Sequence, residues 1–106
     1  MQKFLLSKNI DLEFSHSEEK RCDSLFLKLE VFCPILRKKL IFQSIEILKK
    51  SDYKIETVVS SIFILTKILT PDKKNIKFFS KKCTEKLGVK LYSIKKIILK
   101  FYKIEF

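Results

Sequence analysis

A chain of 106 residues, 46% hydrophobic and 33% charged, has the makeup of one globular domain and not of a disordered tail. Its single Gly and two Pro exclude a turn-dense all-β fold, and one Gly leaves no P-loop or dinucleotide-binding glycine pattern. The net charge of +11 is lopsided: residues 73–106 hold eleven lysines against Glu85 and Glu105, hence +9, whereas residues 1–72 hold twelve bases and ten acids, hence +2. Charge gathered at one end is a statement about a polyanionic partner, not about the fold.

In chain order, residues 1–16 show no clear period and are expected to form an N-terminal arm, in which Phe4, Leu5, Ile10, Leu12 and Phe14 could pack irregularly. A single domain is expected over 17–106. Ser17 followed by Glu18 and Glu19 is a good helix start, because a short hydroxyl and two acids complement the exposed N–H groups of a first turn. The first helix should bury Cys22, Leu25, Phe26, Leu29 and Phe32, spaced three or four apart, and end at Cys33-Pro34. Pro34 then opens a second helix at its first position. That helix should turn Leu36, Leu40, Ile41, Ser44, Ile45 and Leu48 inward and Arg37, Lys38, Lys39, Glu46 and Lys49 outward.

The third helix, Ile55 to Leu69, is apolar nearly all round, the mark of an element surrounded by the others. Ser60 and Ser61 in its middle let neighbouring helices come close. Thr70-Pro71-Asp72 should close it. Asn75 is a fair N-cap for a fourth helix to Leu87, with the stripe Ile76, Phe79, Cys83 and Leu87. After Gly88-Val89-Lys90, a fifth helix from Leu91 to Lys103 turns Leu91, Ile94, Ile97, Ile98 and Phe101 inward. Its outer face carries Tyr92, Lys95, Lys96, Lys100 and Lys103. A short Gly-containing turn between two helices is the form of a helix-turn-helix. The expected fold is therefore all-α, five helices around a central buried third, with a C-terminal helix-turn-helix.

The three cysteines form no C-x-x-C, and the lone His16 cannot complete a zinc site. Reduced thiols in an intracellular, nuclear or cytosolic protein follow from that pattern. Met1 to Leu6 is too short an apolar run for a secretory signal, and the greasy stretch Thr57 to Leu69 is too interrupted to span a membrane. Ser15, His16, Ser17 and Glu18 are neighbours only in sequence, whereas a nucleophile and its base come from separate elements. No catalytic residue, cofactor, metal or small-molecule substrate is expected.

Residues 25 to 104 resemble a cyclin-like repeat of the TFIIB family, most nearly the second of that family's two repeats. The likeness rests on Leu29-Glu30-Val31-Phe32-Cys33 with Leu36, on Ile55 to Ile64 as the third helix, on Lys74 to Phe79, on Gly88-Val89, and on Ser93-Ile94-Lys95. Tyr102 matches the helix end. The chain departs from the family in having Tyr53-Lys54 before the third helix where Gly-Arg is usual, and Val58, Val59 and Leu65 where alanines are usual. It also has neither the zinc ribbon nor a second repeat.

The resemblance implies a non-catalytic transcription initiation factor that binds promoter DNA and contacts TATA-binding protein and the RNA polymerase machinery. Carried over, Tyr92 and Lys95 would face bases with Ser93 and Lys96 beside them. Lys77, Lys81, Lys82, Lys90 and Lys100 would hold phosphates and so contribute affinity rather than sequence choice. The plain alternative is a solvated lysine face. Against it, these lysines have almost no acids with which to form i, i+4 pairs. Other readings are a cyclin-box module docking a kinase or other regulator through a groove between helices three and five, an origin-recognition-type DNA-binding subunit, and a basic amphipathic helix lying on a membrane surface.

Overall fold

The computed structural model describes residues 17–70 and 75–106. The expected packing of the arm 1–16 and the closing role of Pro71-Asp72 lie outside those residues. Among the described residues there are five helices and no strand: α1 (17–28), α2 (Pro34–Lys49), α3 (Ile55–Ile68), α4 (Ile76–Leu87) and α5 (Leu91–Tyr102).

α3 is the element the others are built on. It packs against α2, α4 and α5, and nine of its fourteen residues are buried, from Val58 through Leu65 and again at Ile68. A helix apolar on every side has to be enclosed on every side, so the expected central position is observed. Phe26 and Leu29 of the first segment, Leu40 and Ile45 of α2, Cys83 of α4, and Ile94, Ile97 and Ile98 of α5 complete the core. Ser60 is fully buried on α3 and sits beside the Cys83 thiol of α4, a small-to-small contact through which the two helices approach. The Ser61 hydroxyl folds back onto the Thr57 carbonyl at 2.8 Å, satisfying itself within its own helix.

The first helix ends differently from expectation. It stops at Lys28, five residues short of Cys33. The Glu30 N–H donates to the Leu27 carbonyl at 2.9 Å and the Val31 N–H to the Phe26 carbonyl at 3.0 Å, with Glu30 at φ 66°. That pair of bonds, with a left-handed residue between helix and exit, is a Schellman motif. Its usual apolar clasp is present too, since Phe26 and Val31 are both buried. No Gly marks the spot, which is why the periodic stripe read through it. The consequence falls on Phe32: beyond the reversal the helical period no longer applies, and its ring is 68% exposed rather than buried. Leu36, expected inward on α2, is also exposed, and Ile47 takes a core place instead. Pro34 does open α2, at its first turn.

Ion pairs tie this half together. Arg21 of α1 reaches Glu56 of α3 at 2.8 Å. Arg37 of α2 donates to Asp23 of α1 at 2.5 Å and to the Val31 carbonyl at 3.0 Å, clamping the α1–α2 link. These are the only two arginines in the chain, and each bridges elements. The three thiols are unpaired: Cys33 is exposed, Cys22 and Cys83 are buried. Burial, helped by Glu18 and Glu19, pushes the Cys22 thiol up to about 12. Burial pushes Cys83 up to about 11. Both stay protonated and inert at neutral pH.

Candidate nucleic-acid interface

The α4–α5 corner is made locally. Gly88 sits in the left-handed region at φ 70°, where only Gly rests without strain, and its N–H donates to the Thr84 carbonyl at 2.9 Å. The Thr84 hydroxyl donates onward to the Val89 carbonyl at 2.7 Å, while the Val89 side chain is buried. Lys90 contributes no side-chain cap, and its carbonyl starts α5 by accepting from the Ser93 and Ile94 N–H groups. The turn is thus fixed by Thr84 and by a buried valine, which sequence reading passed over. Asn75 caps nothing: α4 begins at Ile76, and no side-chain bond from Asn75 is made.

Eight lysines on these two helices and their ends are exposed: Lys77, Lys81, Lys86, Lys90, Lys95, Lys96, Lys100 and Lys103. α5 contains no acid at all, and α4 contains only Glu85, which approaches Lys81 loosely at 4.0 Å. Tyr92 is 75% exposed on the outward face of α5, with Lys95 and Lys96 beside it and Lys90 at the helix start. Ser93 is half-buried on the flank. These residues are brought together. Tyr92, Lys96, Leu99 and Lys103 recur at i, i+4, i+7 and i+11, so a half-exposed Leu99 lies within the basic stripe.

Others are separated. Lys77, Lys81 and Thr84 share one flank of α4, the flank that holds the turn into α5. Lys82 faces the other way: its ammonium is ion-paired with Glu30 past α1 and its side chain is 15% exposed. The pair holds the Glu30 carboxyl below the usual range, chiefly through the hydrogen bond from Lys82. Lys100 turns toward the α2–α3 link, with its ammonium 5.4 Å from the Tyr53 ring and 5.6 Å from that of Phe101. Lys95 lies 5.4 Å from the Phe106 ring. Such contacts lay the stems down while leaving the charge at the surface.

Two open features lie outside this face. At the α1–α2 corner, Phe32, Ile35 and Leu36 are exposed in near succession. Beside them a groove of about 320 Å³ is floored by Leu29, Leu40, Phe63 and Phe79, with Lys67 at its edge. The Lys67 ammonium stands 4.4 Å from the Phe79 ring. Between α2 and α5 runs a cleft of about 280 Å³ with Phe42, Gln43, Glu46, Ile47 and Lys50 on one wall and Phe101 and Tyr102 on the other. α3 and α5 themselves pack directly, with Ile94, Ile97 and Ile98 of α5 buried.

Among the described residues no helix is long and apolar enough to cross a membrane. Compared with protein-family models, curated proteins and solved structures, the chain matches none of them.

Proposed function

We propose that this chain is a non-catalytic, cyclin-like domain of the TFIIB type that binds DNA through α4, the 88–90 turn and α5. The observation that carries the reading is the acid-free α5, whose outward face joins Tyr92 to Lys95, Lys96 and Lys103. A face that repels itself is relieved when phosphates neutralise it, and the released counterions make binding depend steeply on salt.

The chemistry of the face refines the reading. Both arginines are engaged between helices, so the interface has lysines only. Lysine is a point charge without the planar fork that reads guanine or phosphate in bidentate fashion, so affinity comes from phosphates and sequence choice is weak. Lys90 at the turn and Lys77 and Lys81 along α4 serve as phosphate contacts; Tyr92 and Lys95, with Ser93 and Lys96 beside them, meet the groove. Lys82 contributes only after leaving Glu30. The exposed apolar corner of Phe32, Ile35 and Leu36 is the face offered to a protein partner, which by resemblance is TATA-binding protein.

Duplex binding measured across salt tests the DNA role. Six phosphate contacts correspond to a log–log slope of about −5, and Lys95→Glu with Lys96→Glu should weaken binding at low salt by about tenfold or more. The same apolar corner also suits a cyclin-box module whose partner is a kinase or another regulator. Capture by TATA-binding protein against capture by a kinase separates the two, and Phe32→Asp should abolish whichever is genuine.

A further inference from the structure

We propose that the cleft between α2 and α5 takes an unpaired nucleobase, stacked between Phe42 and Tyr102, so that the domain prefers locally opened DNA to intact duplex. The inference rests on the DNA reading above and extends it from the outer face of α5 to that helix's neighbouring flank.

Phe42 is the starting point. Its ring stands on α2 with 68% of its surface in water, although the core lies on the other side of that helix at Leu40, Ser44 and Ile45. An aromatic ring left in solvent at a cleft mouth has a face available for stacking. Across the cleft, Tyr102 is half-buried at the end of α5, and burial raises its phenol above the usual value. Its hydroxyl therefore stays protonated at neutral pH and can donate or accept. The cleft thus has an aromatic side chain on each wall to meet a flat, π-faced ligand, and every base offers such a face.

The remaining walls select among flat ligands. Lys39, Gln43, Glu46 and Lys50 recur at i, i+4, i+7 and i+11 along one stripe of α2. Gln43 presents an amide with donors and an acceptor, and Glu46 presents an acceptor carboxylate, the groups that pair with the amino and ring-nitrogen edge of a base. Lys39 and Lys50, at the two ends of that stripe, are placed for the phosphates on either side. The carboxylate in the middle repels a phosphate, so a backbone lying straight through the cleft is disfavoured. A base turned out of the strand satisfies both demands. On α5, Lys95, Leu99 and Tyr102 lie on one stripe, so the cleft is continuous with the basic face and one strand can run from one to the other.

The test uses the full chain and three fluorescein-labelled DNAs of equal length: a duplex, the same duplex with a central mismatched tract, and the single strand. Anisotropy titrations at low salt should show the opened and single-stranded probes bound about tenfold tighter than duplex, the effect of one base stack. Phe42→Ala, a surface change whose folding is checked by circular dichroism, should abolish that preference and leave duplex affinity unchanged. 2-Aminopurine in the mismatched tract should be quenched by the unaltered chain and not by Phe42→Ala. Equal binding of duplex and opened probe, or a preference that survives Phe42→Ala, overturns the proposal while leaving the duplex reading intact. Binding to none of the three overturns both.

Discussion

The two ends of this domain differ in how far their positive charge is matched: residues 17–70 carry ten bases and seven acids, residues 75–106 nine bases and two acids. In residues 17–70 the arginines are structural: Arg21 and Arg37 each cross from one helix to an acid on another, and Arg37 also caps the Val31 carbonyl. In residues 75–106 the cations are all lysines, eight of them exposed, with the loose Lys81–Glu85 pair at 4.0 Å as the one ion pair inside the segment. Lys82 is the exception that marks the boundary, because it reaches out of the second region to Glu30 in the first. Charge that is spent on holding helices together is unavailable to a ligand. Charge crowded on an acid-free helix destabilises the free chain slightly and is relieved by a polyanion.

The comparison can be broken first at what the two regions share. Phe26 is fully buried among the core residues that meet α3. Phe26→Ala should cost about 3–5 kcal/mol, a large part of the stability of a domain this size. Chemical denaturation would show it, and a loss under about 1 kcal/mol would mean that this core is not shared.

Next in size is the corner between α4 and α5. A Cβ added at Gly88 meets nothing within 4 Å, so Gly88→Ala has only the left-handed backbone to oppose it. The expected cost is about 1–2 kcal/mol, with the melting temperature falling and DNA affinity at low temperature kept. A neutral result would show that the turn is not held as described.

The contrast itself is sharpened by pairing Arg37→Ala with Lys96→Ala. Removing Arg37, whose side chain is mostly covered, should cost about 1 kcal/mol after allowance for the half-exposed Asp23. Removing Lys96 should change stability by less than about 0.5 kcal/mol in either direction while lowering DNA affinity. The reverse ranking would erase the distinction between the regions.

The smallest effect is at the boundary pair. Glu30 has a folded pKa lowered from 4.5, so its contribution with Lys82 is present above that value. It is lost as pH falls through the lower folded value. The melting-temperature gap between the unaltered chain and Lys82→Ala should therefore be steady from neutral pH to about pH 5 and close under acid. A gap that persists at low pH would point to packing by the lysine stem.

Most of the scaffold was legible because its signals are local and periodic. The all-round apolar run of α3, the Pro34 start of α2 and the single Gly of the α4–α5 turn each name their element without tertiary help. The end of α1 was not legible, since its reversal is made by a glutamate in a left-handed conformation that Gly usually occupies. From that miss followed the misplacing of Phe32. At the candidate interface, exposure of Tyr92, Lys95 and Lys96 followed from the inward stripe Ile94, Ile97 and Ile98. The pairing of Lys82 with Glu30 depends on contact between residues 52 positions apart, which periodicity on one helix cannot show. The aromatic cleft was missed for the same reason, as its walls come from α2 and α5.

The central claim, that the α4–α5 lysines await a nucleic-acid backbone, is tested most directly by the salt dependence of duplex binding for the unaltered chain and for Lys81→Ala/Lys90→Ala. The account predicts a steep log–log slope, about −5 for six contacts, that becomes shallower by about 1 for each lysine removed from the interface. Binding that is absent at low salt, or a slope indifferent to both substitutions, would contradict it.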